Sequence, residues 1–259
     1  LEVWAVANQK GGVGKTTTTI ALAGLLAECG KKVLLVDTDP HASLSYYFGI
    51  ESEDLDLSVY DLFAQVSSKE QILQSLCPTQ YNNIDILPAT MGLATLDRSL
   101  GARSGMGLVL KKAMSKLSQN YDYVLIDCPP ILGVLMVNAL AASDRIIVPV
   151  QTEFLALKGL ERMIKTMDMM AVEQDKPFNY TVVPTMFDKR TKASLLAYKH
   201  LQEMYKDNIW PNVIPVDTNF RNASLAQKVP SHFAPNSRGV FSYKNLLSYL
   251  LKSAQRSIK

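Results

Sequence analysis

Asn8-Gln9-Lys10-Gly11-Gly12-Val13-Gly14-Lys15-Thr16-Thr17 lies between a short apolar run, Val3-Trp4-Ala5-Val6-Ala7, and a helical pattern that begins near Thr16. A strand, a glycine turn and a helix start in this order make a cradle for phosphate. The glycines let backbone N–H groups converge on an oxyanion, and the helix end adds positive potential. Gly11 to Thr17 would line the cradle, with Lys15 reaching the outer phosphates and the Thr16 hydroxyl ligating Mg²⁺. The usual pattern has glycine where this chain has Gln9, and it does not call for a second lysine at position 10. Lys10 is either a solvated loop residue or a group with a task away from its own cradle.

Working outward, apolar runs recur at 32–37, 83–88, 123–127, 145–150, 180–184 and 209–214, with helical stretches between them. Runs apolar on both faces suit a parallel sheet covered by helices. The repeated strand–helix order predicts an α/β fold, a doubly wound and mostly parallel sheet with a P-loop, as one domain over 1–259. Residues 51–82 are less regular, with Glu51, Glu53, Asp54 and Asp56 close together, and read as a surface excursion with short helices. The last stretch, 241–258, is helical, with Leu246, Leu247, Leu250, Leu251 and Ala254 on one face. That stripe packs on the sheet or, with Lys252, Arg256 and Lys259 beside it, rests on a membrane surface.

Composition narrows the class. The 259 residues are 47% hydrophobic and 20% charged, which supports a folded core and argues against disorder. No apolar run is long enough to span a bilayer. The first strand begins almost at residue 1, leaving no room for a signal peptide, and the odd set of Cys29, Cys77 and Cys128 has no paired spacing. Both predict a reducing cytoplasm. Charge is uneven. Residues 1–188 carry a balance of −6 and residues 189–259 a balance of +9, so the last third is either a solvated basic face or a surface for DNA, anionic lipid or an acidic protein.

Two acidic strand ends narrow the chemistry. Val36-Asp37-Thr38-Asp39-Pro40-His41 closes the second strand, and Leu125-Ile126-Asp127-Cys128-Pro129-Pro130 a later one. An aspartate at a strand end beside a phosphate cradle can hold a magnesium-bound water, which fits Asp127. Asp39, beyond the strand, can turn over the terminal phosphate and orient an attacking water.

With these blocks in hand, the chain resembles the ParA/MinD family of deviant Walker A ATPases over nearly its whole length. Lys10–Thr17, Asp37-Thr38-Asp39-Pro40, Asp127-Cys128-Pro129-Pro130, Val148–Glu153 and Thr185–Arg190 are the five ordered blocks that carry the resemblance. It implies an ATP hydrolase that is slow and depends on dimerisation, with ATP and Mg²⁺ as cofactors. Lys10 would cross to the nucleotide of a second copy, joining Lys15 and Asp39 as catalytic groups. Thr16, Asp37 and Asp127 would lie at the metal, and Met186, Pro215 and Asp217 would hold adenine, although relatives often have asparagine where Asp217 stands.

Departures from the family pattern bear on cargo. DNA-segregating members read Asp-Pro-Gln after the second strand, where this chain has His41, and carry an arginine associated with DNA binding where it has Asn219. Lys206, Arg221 and Lys228 could compensate. The sequence predicts no helix-turn-helix before the first strand. Trp4, His41, Pro184–Asp188 and the stretch Val213–Val240 are similar to the ParC-like branch, which places chemotaxis arrays at the cell pole through an adaptor and a polar landmark protein. The sequence therefore predicts a cytoplasmic, pole-associated ATPase with those partners. A chromosome- or plasmid-partitioning ATPase binding DNA non-specifically is the alternative, and membrane contact is the less favoured one. An iron–sulfur electron donor lacks suitable cysteines, and a small-molecule kinase lacks an acceptor motif.

Overall fold

The computed structural model describes residues 1–51, 55–64, 68–100 and 106–256. Glu53, Asp54, Ile258 and Lys259 lie outside them, as do the side chains of Ala254 and Arg256. Seven strands form one sheet: β1 (Glu2–Val6), β2 (Val33–Asp37), β3 (Cys77–Pro78), β4 (Ile84–Leu87), β5 (Tyr123–Asp127), β6 (Arg145–Gln151) and β7 (Tyr180–Thr185). Their order is β3-β4-β2-β5-β1-β6-β7, parallel throughout except for the antiparallel pairing of β3 with β4.

The strands alternate between two cores. Val3, Ala5, Leu34, Val36, Val124, Ile126, Ile146 and Val148 face one side. Trp4, Val6, Val33, Leu35, Leu125 and Ile147 face the other. Because successive side chains point to opposite faces, burial on both demands helices on both. The first layer includes α6 (Val109–Lys116), α7 (Val134–Ala142), α8 (Phe154–Gln174) and α9 (Lys192–Met204). The second is built on α1 (Lys15–Glu28) and α12 (Arg238–Arg256), which pack on each other. Tyr243, Leu246, Leu247 and Leu250 of α12 are buried there, each leucine contributing about 1.5–3 kcal/mol. The leucine stripe thus packs inward, with Leu251 only partly covered. Among the described residues no helix is long and apolar enough to cross a membrane.

The excursion after β2 carries the short helices α2 (Ser43–Tyr47), α3 (Val59–Ala64) and α4 (Lys69–Gln74), the last opened by a capping box between Ser68 and Gln71. α5 (Leu93–Leu100) follows β4, while α10 (Asn219–Leu225) and α11 (Pro230–Phe233) lead into α12.

Two strand readings differ from the sequence. Residues 209–214 are not a strand; they touch the sheet edge through isolated bridges, Val182 with Ile209 and Phe187 with Pro215. Pro211 and Pro215 lack the N–H a ladder needs, so the segment hangs from β7 by separate bonds such as Ile214 N–H to Pro184 O at 2.8 Å. β3 went unread because two residues carry no periodicity.

This order places the site. β5 lies between β1 and β2, with Asp127 beside Val6 on one side and Asp37 on the other. The glycine loop and both acidic strand ends therefore meet at the carboxyl edge of the sheet, where such folds bind ligands.

Candidate nucleotide site

The loop from Asn8 to Gly14 is held open by its own backbone. Gly12 and Gly14 have φ of +74° and +92°, and Gly14 is the N-cap of α1 without a side-chain cap. L-residues resist that region. A Cβ on Gly11, Gly12 or Gly14 would meet nothing within 4 Å, so the concavity above the loop is free for a ligand. The first N–H groups of α1 face it unpaired by any cap, the arrangement that favours phosphate. Val13 is buried, and its carbonyl accepts the Thr185 hydroxyl at 2.9 Å, tying the loop to the end of β7.

Lys15 is almost fully buried and bends back over the loop, its Nζ donating to the Lys10 carbonyl at 3.3 Å. Thr16 donates its hydroxyl to Asp127 Oδ2 at 2.6 Å, and Thr19 reaches Oδ1 at 3.5 Å. Asp37 is also buried; its Oδ2 accepts the N–H and hydroxyl of Ser45 at 2.9 and 2.8 Å, and its Oδ1 accepts the Asp39 N–H at 3.1 Å. Both Asp37 oxygens are thus engaged, and Ser45 is a contributor that sequence pattern did not reveal.

The two carboxylates crowd each other. Burial first, and then the charge of Asp37, pushes Asp127 up to about 8, against the pull of the Thr16 hydroxyl and Lys15. Burial also raises Asp37 to about 6, opposed by hydrogen bonds from Ser45 and Asp39. Desolvation of a buried carboxylate is the leading cause in both cases, with neighbouring negative charge adding to it, and a divalent cation would favour the charged forms. Among the described residues no three His, Cys, Asp or Glu side chains converge to hold a metal alone. That suits Mg²⁺, which keeps several waters and takes one or two carboxylates plus phosphate oxygens. Thr16, Asp127 and Asp37 fit such an ion when nucleotide supplies the remaining ligands.

Lys10 and Gln9 point elsewhere. Lys10 Nζ forms an ion pair with Glu153, the N-cap of α8, both side chains being partly exposed. Gln9 Nε2 donates to Thr166 Oγ1 of α8 at 3.1 Å. The two residues that depart from the usual loop are therefore the two that fasten it to α8. Glu153 lies 143 positions from Lys10; no local signal links them.

Met186, Pro215 and Asp217 line a cavity of about 350 Å³ together with Gly14, Thr17, Phe220, Arg221 and Tyr243. It adjoins the loop, as a base pocket must. The Asp217 carboxylate turns away from its centre: Oδ1 accepts the N–H and side-chain amide of Asn219 at 2.9 and 2.8 Å, and Oδ2 accepts the Gly239 N–H at 2.9 Å. Asp217 shapes the cavity by joining α10 to α12, while Met186, at φ +52°, and Pro215 line it. Phe220, Arg221 and Tyr243 were not foreseen as lining.

Comparison with known proteins agrees with this geometry. A family model described as "AAA domain" matches residues 1–180. The chain is 37% identical over 252 residues to sporulation initiation inhibitor protein Soj of Bacillus subtilis, covering 95% of this chain and 96% of that one. It is 37% identical over 218 residues to chromosome partitioning protein ParA of Caulobacter vibrioides, covering 83% and 80%. A solved structure of cobyrinic acid a,c-diamide synthase from Mycobacterium smegmatis, with bound ATP analog and magnesium, superimposes with a TM-score of 0.83 at 32% identity, covering 98% of this chain and 96% of that one. With its glycine loop and paired strand-end aspartates, and with that likeness to Soj and ParA along most of its length, the chain belongs to the ParA/MinD family of P-loop ATPases.

Proposed function

We propose that residues 1–259 form one ATPase domain that works as a nucleotide-timed dimerisation switch and positions an intracellular cargo. The observation that carries this reading is Lys10. Lys15 already serves the chain's own cradle, and Lys10 stands at its rim, outside it and partly exposed. A cation there suits charge developing on the phosphates of a facing copy, the logic of a finger supplied in trans. Exposed Ile131 and Leu132, soon after Asp127, and Phe154 and Leu155, soon after Glu153, give the same end of the sheet an apolar surface for that copy. Gly11–Thr17 would cradle the phosphates of ATP. Thr16, Asp37 and Asp127 would serve Mg²⁺, which supplies charge neutralisation across the outer phosphates. Asp39 would orient the water whose attack yields ADP and phosphate.

For cargo, the resemblance of Trp4, His41 and residues 213–240 to the ParC-like branch supports chemotaxis arrays, reached through an adaptor and a polar landmark. The basic last third, with Lys206, Arg221 and Lys228 all exposed, supports the second reading, DNA held through its phosphates. A fluorescent fusion separates them: a polar focus lost in Lys15→Ala supports array placement, whereas patterning over the nucleoid supports the DNA reading. Duplex binding by the ATP form that weakens steeply with added salt would also favour DNA.

A further inference from the structure

The turn after β2 gives Asp39 an unusual neighbour. Asp39 O accepts the Ala42 N–H at 2.8 Å, and Ala42, at φ +52°, leads into α2. The tight turn folds His41 back over Asp39. Its backbone N–H donates to Asp39 Oδ1 at 3.0 Å, and its ring Nδ1 lies 2.8 Å from the same oxygen. The backbone bond alone is what an aspartate turn makes with any residue at that place; the ring bond is not. The carboxylate is mostly sheltered, at 17% exposure, and the imidazole is open to solvent, at 76%. Both bonds go to Oδ1, which leaves Oδ2 of Asp39 for another donor.

We propose that His41 is a positioning residue for hydrolysis: its ring and its N–H together fasten Asp39 Oδ1, so that Oδ2 is held toward the attacking water. This rests on the reading of Asp39 as the water-orienting group. A carboxylate free to rotate presents either oxygen, and a geometry off by a fraction of an ångström costs rate rather than binding. Other charged and titratable groups around Asp39 are Asp37, whose Oδ1 accepts its N–H, then Asp127, and the Cys128 thiol, which burial pushes up. These stay the same in a His41 variant, so a change in kcat that a side-chain donor rescues reports the ring.

The test compares ATP hydrolysis by wild type, His41→Ala, His41→Gln and Asp39→Ala with magnesium, at saturating protein. Losing a charge-assisted hydrogen bond lowers kcat by about tenfold in His41→Ala with KM unchanged. His41→Gln, which keeps a side-chain donor, recovers most of the rate. If Asp39→Ala is inactive while His41→Ala matches wild type, the role of His41 is overturned and that of Asp39 stands. Equal losses in His41→Ala and His41→Gln, or a raised KM in place of a lowered kcat, also overturn it, as the marks of a merely structural turn residue. Wild-type hydrolysis by Asp39→Ala overturns the reading of Asp39 itself.

Discussion

Asp127→Asn removes one of two neighbouring buried carboxylates while keeping the shape that receives the Thr16 hydroxyl. In the nucleotide-free protein this carboxyl is pushed from 3.8 up to about 8, by burial and then by Asp37. The unfolded chain gives up that proton near the lower value and the folded chain near the higher. Between them the folded state binds more protons, so stability declines as pH rises through the window. Each tenfold change in proton affinity is worth about 1.4 kcal/mol, which makes the full decline on the order of 6 kcal/mol. The substituted amide has no such proton to lose, and it also relieves Asp37 of a charged neighbour. Urea unfolding of both proteins without nucleotide, from about pH 5 to about pH 8, reads the difference directly. The variant gains on wild type by several kcal/mol across that range, while losing magnesium-dependent hydrolysis. Added magnesium and ATP narrow the gap, because in wild type the cation compensates the crowded carboxylates. Parallel pH curves for the two proteins would refute the reasoning, since no proton would then be held between the strand ends.

Other consequences follow from the packing. Gly239→Ala sets a Cβ 2.3 Å from Phe220 Cζ and 3.0 Å from Asp217 Oδ2, both on the wall of the cavity beside the glycine loop. The variant should lose about 1–3 kcal/mol in thermal unfolding and bind ATP more weakly by calorimetry; a protein unchanged in both measurements would contradict the close approach of α12 to that wall. Glu153→Gln frees Lys10 from its ion pair. Both side chains are partly exposed, so unfolding should change by less than about 1 kcal/mol. The ATP-dependent dimer should tighten by up to about fivefold, as Lys10 no longer has to leave a partner; a weaker dimer by sedimentation would mean that the pair serves assembly rather than opposing it.

How much of this was legible in the sequence varies with the physics of each part. Strand and helix order could be read because fully buried parallel strands leave long apolar runs, as at 33–37 and 145–150. The glycine loop and the strand-end aspartates announced themselves because cradle and metal chemistry need particular residue types at fixed local spacing. Ile209–Ile214 misled because its apolar residues are buried without a ladder, interrupted by proline, and pattern records burial rather than pairing. Ser45 on Asp37, Glu153 on Lys10 and the Asp217 link to Gly239 were invisible for a different reason. Each joins residues across a turn or between distant elements, and nothing in either local sequence requires the other. His41 was visible only as a departure; the turn that lays it over Asp39 gives the departure a physical meaning.

The central claim is that Lys10 completes the site of a second copy. Lys10→Ala keeps its own cradle, Lys15 and Asp39 but has no lysine to donate, and should bind ATP while hydrolysing almost none. Asp39→Ala keeps Lys10 but cannot orient water, and should accumulate as an ATP-bound dimer. Mixing the two tests the claim most directly. In a mixed dimer the Lys10→Ala protomer has Asp39 and receives Lys10 from its partner, so one complete site forms. Random pairing makes half the dimers mixed with one working site each, so the equimolar mixture should recover about a quarter of the wild-type rate. A mixture as inactive as its two components would contradict the account, placing Lys10 in the service of its own chain.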